Sequence, residues 1–231
     1  MRITETAIPG LLIIDLDVHR DNRGWFKENW QREKFTGLAP ELASFQPVQN
    51  NISFNHAGAT RGLHAEPWDK LVSVAQGKIF GAWCDLREGS DSFGEVVTHE
   101  VGPETAVFVP RGVANGFQAL EETSYCYLVN EHWSAEARYA AVNLNIVDWP
   151  LEPTEISEKD KQHPALKDVS PMPARRILVT GANGQLGRAL KRLLADAELC
   201  THADFDITDP PERNWKQYSA IINCAAYNDV N

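Results

Sequence analysis

The sequence predicts a mainly β protein, an antiparallel sandwich or barrel over roughly residues 1–150, followed by a partial α/β segment. Three observations predict it. Short β-rich runs separated by turn residues recur through the first region with few helical periods. A charged, proline-bearing stretch then breaks the pattern. Beyond it, an apolar strand, a glycine-rich turn and an amphipathic helix make the opening of a βαβ unit. A chain of 231 residues has room for one to two domains and a real core.

The strands expected in order are Leu11–Leu16, Lys70–Ala75, Lys78–Asp85, Glu95–Val101, Thr105–Val109 and Ser124–Val129. Gln76-Gly77-Lys78 and Val109-Pro110-Arg111-Gly112 punctuate them as turns, and Gln31–Phe35 reads as a short helix. Ser157 to Ala174 is rich in charge, Pro and His, which marks a connecting segment. In the tail, Ile177–Thr180 is the buried strand and Gly181, Gly184 and Gly187 form the turn. Arg188–Ala195 has helical period, Glu198–Cys200 is a second strand, Pro211–Tyr218 a helix and Ala220–Ala225 a third strand. The domain reading is therefore 1–165, a linker at 166–174, and 175–231.

Composition removes several classes of function. A net charge of −10 argues against nucleic acid or an anionic membrane surface as a partner. Cys84, Cys126, Cys200 and Cys224 are far apart, form no CxxC, and sit in apolar runs as buried hydrophobes of a reducing compartment. The first residues have no signal-peptide profile, and the run Leu11–Ile14 is too short to span a bilayer, so a cytoplasmic protein is expected.

Chemistry concentrates at Arg61-Gly62-Leu63-His64 and at Lys70, six residues after the histidine. Arg offers a fork for phosphate, His a base titrating near neutrality, and Lys a charge to steady a developing oxyanion. Taken alone, three polar residues at a strand end are more often a solvated edge.

Further blocks shift that balance. Asp21-Asn22-Arg23-Gly24-Trp25-Phe26, Arg61-Gly62-Leu63-His64, Asp69-Lys70-Leu71-Val72, Ser92-Phe93-Gly94, Val109-Pro110-Arg111-Gly112, Val147-Asp148-Trp149-Pro150 and Ser157-Glu158-Lys159-Asp160 occur in that order. The series resembles the dTDP-4-dehydrorhamnose 3,5-epimerase family over about residues 1–165. That resemblance implies a cupin-type jelly roll, a homodimer, a dTDP-sugar substrate and no cofactor. It also implies roles: His64 as base, Asp160 as its carboxylate partner, Lys70 at the C4 oxygen and Tyr127 as the acid on the far face. Arg23 and Arg61 would grip the diphosphate; Phe26, Glu28, Gln49, Asn51, Asn115, Trp133 and Lys159 would shape the substrate pocket. Without the resemblance, Asp160 reads as a solvated charge and Tyr127 as a strand-edge aromatic.

Three residues depart from the family pattern: Asn115 where histidine is common, Trp133 where tyrosine is usual, and Ala65 where phenylalanine is usual. Loss of a titratable group at 115 leaves epimerisation at C3 alone as an alternative to action at C3 and C5. A non-catalytic sugar-nucleotide binding module is a further alternative; it would not need His64 with Asp160. Many jelly rolls of this kind bind metal with two histidines two apart, a carboxylate and a third histidine. Here Glu66 and Asn115 occupy two of those places, so no metal is expected. His19, His56, His99, His132 and His163 read as surface or turn residues.

The tail's Gly181, Gly184 and Gly187, with Asp206-Ile207-Thr208-Asp209 and Ile222-Asn223-Cys224-Ala225-Ala226-Tyr227, resemble the start of a dTDP-4-dehydrorhamnose reductase. Glycines there let backbone approach a pyrophosphate at a helix N-terminus. The resemblance implies a Rossmann-like NAD(P)-binding segment, with NADPH or NADH against Gly181, Gly184, Gln185, Leu186, Gly187, Asp206, Ile207, Ala225, Ala226 and Tyr227. Thr201-His202 stands where an acidic residue would claim the ribose 2′-hydroxyl, so NADPH is expected to be tolerated. No Tyr-x-x-x-Lys follows Gly187, so this reads as the incomplete reductase half of a bifunctional enzyme, without hydride transfer of its own.

Overall fold

The computed structural model describes residues 1–194 and 197–226. The chain divides into two units, Met1–Pro173 and Ala174–Asn231. In the first, β1 (Arg2–Glu5), β2 (Leu12–Asp15), β3 (Val18–Asp21) and β4 (Gly24–Lys27) precede two short helices, α1 (Arg32–Thr36) and α2 (Pro40–Ala43). Then come β5 (Gln49–Asn55), β6 (Thr60–Ala65), β7 (Lys70–Gln76), β8 (Ile79–Asp85), β9 (Val96–Val101), β10 (Thr105–Val109), β11 (Val113–Ala119) and β12 (Thr123–Val129). A two-residue β13 (Ala140–Ala141) and a single helical turn, α3 (Glu158–Lys161), complete it.

These strands form two antiparallel sheets, in the orders β1-β2-β10-β7-β12-β5 and β13-β6-β11-β8-β9; β3 and β4 make a separate hairpin. Period-two alternation explains the layering. Along β7, Val72 and Val74 face Trp83 and Phe117 of the opposite sheet. Leu71 faces outward, where Phe35, Leu42 and Phe45 of the helical segment cover it. Each such fully buried side chain contributes about 1.5–3 kcal/mol relative to exposure. The outer face of the other sheet, Leu63, Ala82 and Ala114, is covered by residues of the 140–172 stretch.

The mainly β reading stands, and the six expected runs all lie on strands. The structure adds strands whose residues do not advertise them. β5 carries Gln49, Asn50, Asn51, Ser53 and Asn55, and β11 buries Asn115, Gly116 and Gln118. Residues 166–173, read from composition as connecting chain, belong to the first unit: Met172 is buried and its amide donates to the Leu86 carbonyl at 2.7 Å.

The second unit is a parallel sheet in the order β15 (Glu198–Cys200), β14 (Arg176–Thr180), β16 (Tyr218–Asn223), with α4 (Gln185–Leu193) after β14. Helix α4 starts three residues before the expected Arg188, because Gly184 sits at its N-cap; Ala195 lies outside the described residues. The helix expected over Pro211–Tyr218 is only a 3-10 turn, Trp215–Gln217. Tyr218 instead opens β16, its buried hydroxyl donating to Glu198 at 2.7 Å and accepting from Arg213 at 2.8 Å. That strand accordingly begins two residues before the expected Ala220. Among the described residues, no helix is long and apolar enough to cross a membrane.

Candidate active site

Strand β6 carries Arg61 and His64 three residues apart, a spacing that on a regular strand would turn them to opposite faces. A bulge reconciles them. His64 pairs with Asn115 and Arg61 with Phe117, so Gly62 and Leu63 together stand opposite the single residue Gly116. Gly62 has φ +121°, and a Cβ there would lie 2.5 Å from Gly116 Cα and 2.9 Å from the Asn115 carbonyl. Only glycine fits. Arg61 and His64 therefore both reach the same cavity, of about 620 Å³, in the mouth between the sheets.

Asp160 arrives from 96 residues away. The segment before it is pinned to β6 by the Thr60 amide on the Glu155 carbonyl, 2.9 Å. Ser157 then caps α3 by accepting from the Asp160 amide at 3.1 Å. The Asp160 side chain is left to turn inward, where Oδ1 lies 2.8 Å from His64 Nε2 and Oδ2 accepts from the Gly62 amide at 3.2 Å. Burial works against this carboxylate, but the His64 bond and charge, the Gly62 amide and His163 outweigh it and hold its pKa below the ordinary value. With Nε2 committed to Asp160, Nδ1 is the His64 nitrogen left to accept a proton.

Lys70 and Tyr127 line the same cavity from the other sheet. Lys70 Nζ is 2.6 Å from Glu66 Oε2 and stands over the Tyr127 ring, 4.5 Å from its centroid. Burial raises the Tyr127 pKa, Glu66 adds to the rise, and Arg61 partly offsets it. A phenol so placed keeps its proton and can donate it.

Asn115 and Asn51 also line the cavity. Asn115 accepts from Trp83 Nε1 at 3.0 Å and donates to the Tyr125 hydroxyl at 3.1 Å, so its amide is locked in one orientation. Arg61 donates to Asn55 at 2.7 Å, which aims its guanidinium along β5.

The remaining candidates are not in this lining. Arg23 is exposed on the β3–β4 hairpin and paired with Asp21, and Phe26 on the same hairpin is 64% exposed. Glu28 pairs with Lys34, Gln49 holds Asn51 and the Trp133 amide, Trp133 is 65% exposed, and Lys159 is exposed on α3.

Glu66, Tyr125 and His163 are among the residues at the site that were not assigned to it from sequence. Glu66 lies two positions after His64, and Tyr125 two before Tyr127, so strand alternation was the available signal for both. His163 corrects an expectation outright. Its side chain is only 7% exposed, and its ring meets that of His64 edge-on at 5.0 Å. Its place three residues after Asp160 was the cue, because the turn that ends α3 returns the chain beside Asp160, with the His163 amide on the Asp160 carbonyl.

In the second unit, Gly181, Gly184, Asp206, Ile207, Ala225 and Ala226 line a cavity of about 540 Å³, joined by Asn183, His202, Thr208 and Cys224. Gln185, Leu186 and Gly187 are not in that lining. Gly187 serves packing: a Cβ there would lie 2.4 Å from the Gly181 carbonyl oxygen. Tyr227 lies outside the described residues.

Comparison with known proteins agrees with this geometry. A sequence model described as the RmlD substrate binding domain matches residues 175–231, and one described as dTDP-4-dehydrorhamnose 3,5-epimerase matches residues 5–168. The protein RmlC homolog of Streptococcus pyogenes serotype M6 is 51% identical over 71% of this chain and 89% of its own length. The dTDP-4-dehydrorhamnose 3,5-epimerase of Pseudomonas aeruginosa is 34% identical over 75% of this chain and 100% of its own. Among solved structures, RmlC from Streptococcus suis in complex with dTDP-D-xylose is 46% identical with a TM-score of 0.68, covering 74% of this chain and 94% of that one. RmlC from Legionella pneumophila in complex with dTDP-4-keto-L-rhamnose is 30% identical with a TM-score of 0.66, covering 72% and 93%. Through the two sheets, the His64–Asp160 pair and these matches, the chain belongs to the dTDP-4-dehydrorhamnose 3,5-epimerase family.

Proposed function

We propose that the first unit epimerises dTDP-4-dehydro-6-deoxy-D-glucose to dTDP-4-dehydrorhamnose by proton removal and return beside the C4 ketone. The observation that carries the proposal is the His64–Asp160 pair facing a cavity whose other wall holds Lys70 and Tyr127. His64 Nδ1 takes the C–H proton, and the bonding electrons move to the C4 oxygen as an enolate. The Lys70 ammonium stabilises that oxyanion. Tyr127 then delivers its hydroxyl proton to the opposite face of the carbon, inverting it, and solvent returns the proton balance from His64 to Tyr127. Asp160 stays ionised throughout, holding the Nε2–H tautomer and stabilising the imidazolium. Arg61 is the cavity's phosphate fork. None of these steps uses a cofactor.

Arg23, Phe26 and Trp133 have no place in the cavity of one chain. Their exposure, with that of Ile52 and Phe54 on the edge strand β5, supports a homodimer that buries them. A cytoplasmic setting fits the free cysteines. For the second unit, the glycine turn, parallel sheet and 540 Å³ cavity support a Rossmann-like segment that takes NADPH or NADH. His202 in that lining leaves room for a 2′-phosphate. When bound, such a cofactor supplies hydride chemistry.

The test is solvent-deuterium wash-in, followed by NMR on the 4-keto sugar nucleotide. Label at C3 and C5 with inversion supports the proposal. Label at C3 alone selects the narrower reaction, which the locked, non-titrating Asn115 favours. No label with tight dTDP binding would reduce the unit to a binding module.

A further inference from the structure

Asp160 has a neighbour that proton transfer does not use. His163 Nε2 lies 3.8 Å from Asp160 Oδ1, and His163 Nδ1 is buried without a hydrogen-bond partner. One ligand atom each from His64, Asp160 and His163 can be chosen so that all lie within 4.8 Å of one another. Two imidazoles and a carboxylate, of which His64 and Asp160 line the cavity and His163 lies behind them, are a donor set that suits borderline divalent metals. The position differs from the jelly-roll metal pattern set out above, two of whose places are held here by Glu66 and Asn115.

We propose that His64, Asp160 and His163 form an inhibitory zinc site in the mouth of the catalytic cavity, an inference that rests on the epimerase reading of that cavity. Zn²⁺ bonds nitrogen and oxygen at about 2.0–2.2 Å, so it replaces the proton shared by His64 and Asp160 once their 2.8 Å separation opens to about 3.4 Å, the edge of a tetrahedron with such bonds. His163, whose Nε2 lies 3.8 Å from Asp160 Oδ1, turns toward the ion to supply the third bond. His64, 37% exposed, gives the ion its entry, and the cavity leaves the fourth position to water. The consequence for catalysis follows from the tautomer. Metal on Nε2 displaces that nitrogen's proton to Nδ1, which then has no lone pair for the substrate C–H, and the Asp160 charge is spent on the metal. The site is thus an off-switch that acts on the base.

The experiment uses the full chain after chelator treatment, with ZnCl₂ as the probe. Calorimetric titration is expected to show a single saturable zinc site. Deuterium wash-in should fall as zinc fills that site and return on adding EDTA. In His163→Gln and in His163→Phe, zinc binding should weaken by at least about tenfold, and the zinc midpoint for inhibition should shift equally. Two variants guard against one failing to fold. Histidine ¹⁵N shifts of the unmutated chain give a third readout, in which zinc should move His64 and His163 and leave His19 and His56 unmoved. Absence of saturable zinc binding, or equal binding by the folded variants, overturns the proposal. Its failure is separable from that of the epimerase reading, since wash-in by the zinc-free chain tests that reading alone.

Discussion

Replacing Asp160 by asparagine isolates what the carboxylate does, because the shape is kept and the charge is lost. In the structure, one oxygen accepts from the Gly62 amide and the other from His64 Nε2. Asparagine has only one oxygen. If it stays on Gly62, its NH₂ faces His64 and must donate to Nε2. That forces the ring proton onto Nδ1, the nitrogen the reaction needs free. The lost attraction between carboxylate and imidazolium can be sized from the 2.8 Å contact: Coulomb's law with an effective dielectric of about 20 gives roughly 6 kcal/mol. His64 is 37% exposed, so solvent screens part of this. A fall in exchange rate of about 10²–10⁴ is expected, the upper end matching carboxylate-to-amide exchanges in other His-based sites. Deuterium wash-in at fixed, saturating substrate measures it, with circular dichroism to show an unchanged fold. A variant within tenfold of the parent rate would remove Asp160 from the tautomer-holding role.

Tyr127→Phe should separate proton removal from inversion: deuterium still enters, while net epimerisation drops by about 10² or more, read as label without change of configuration. Equal losses of exchange and inversion would place the acid elsewhere. Gly62→Ala should cost about 2–4 kcal/mol of stability, since the new Cβ meets backbone on β11 and φ is +121°; an unchanged denaturation midpoint would contradict the bulge geometry. Asp85 is fully buried, which by itself raises its pKa, yet Arg87, Ser92 and Ser90 together bring it down from 3.8 to about 2. A depressed carboxyl stabilises the fold above its unfolded value and loses that contribution as pH falls through the folded one. The parent should therefore lose about 2 kcal/mol more than Asp85→Asn between pH 5 and pH 2. Parallel stability curves for the two proteins would refute this.

What could be read from the residues, and what could not, divides along physical lines. Runs such as Lys70–Ala75 were legible because a strand buried on both faces is mostly apolar, here Leu71, Val72, Val74 and Ala75. β5 was not, because its inward-facing residues are polar and bond one another, Arg61 and the Trp133 amide, while Ile52 and Phe54 are exposed. Asp160 looked like linker charge from composition alone, since nothing local reveals a carboxylate that folds back over 96 residues onto His64. His163 was missed for a related reason: its local neighbour Asp160 itself read as linker charge, and its other neighbour, the His64 ring, comes from β6. The tail helix at Pro211–Tyr218 failed in the opposite way. Its period was helical, but Tyr218 gains more as a buried strand residue bonded to Glu198 and Arg213 than as the end of a two-turn helix.

The bulge on β6 explains why arginine and histidine must be separated by two residues, one of them glycine. With one residue between them, alternation would send both to one face but leave no extra peptide for Asp160 to grip. With two on a regular strand, either Arg61 or His64 would point into the outer apolar layer beside Leu63 and Ala65. The bulge supplies both needs together. It turns Arg61 and His64 to one cavity, and it frees the Gly62 amide to bond Asp160 Oδ2 while His64 holds Oδ1. The carboxylate is thus gripped at two points of one short segment, and its orientation is set by the same backbone that sets the base. A substitution that relaxes the bulge therefore disturbs His64, Asp160 and Arg61 at once, so under the proposed mechanism Gly62 positions all three without any reactive atom of its own.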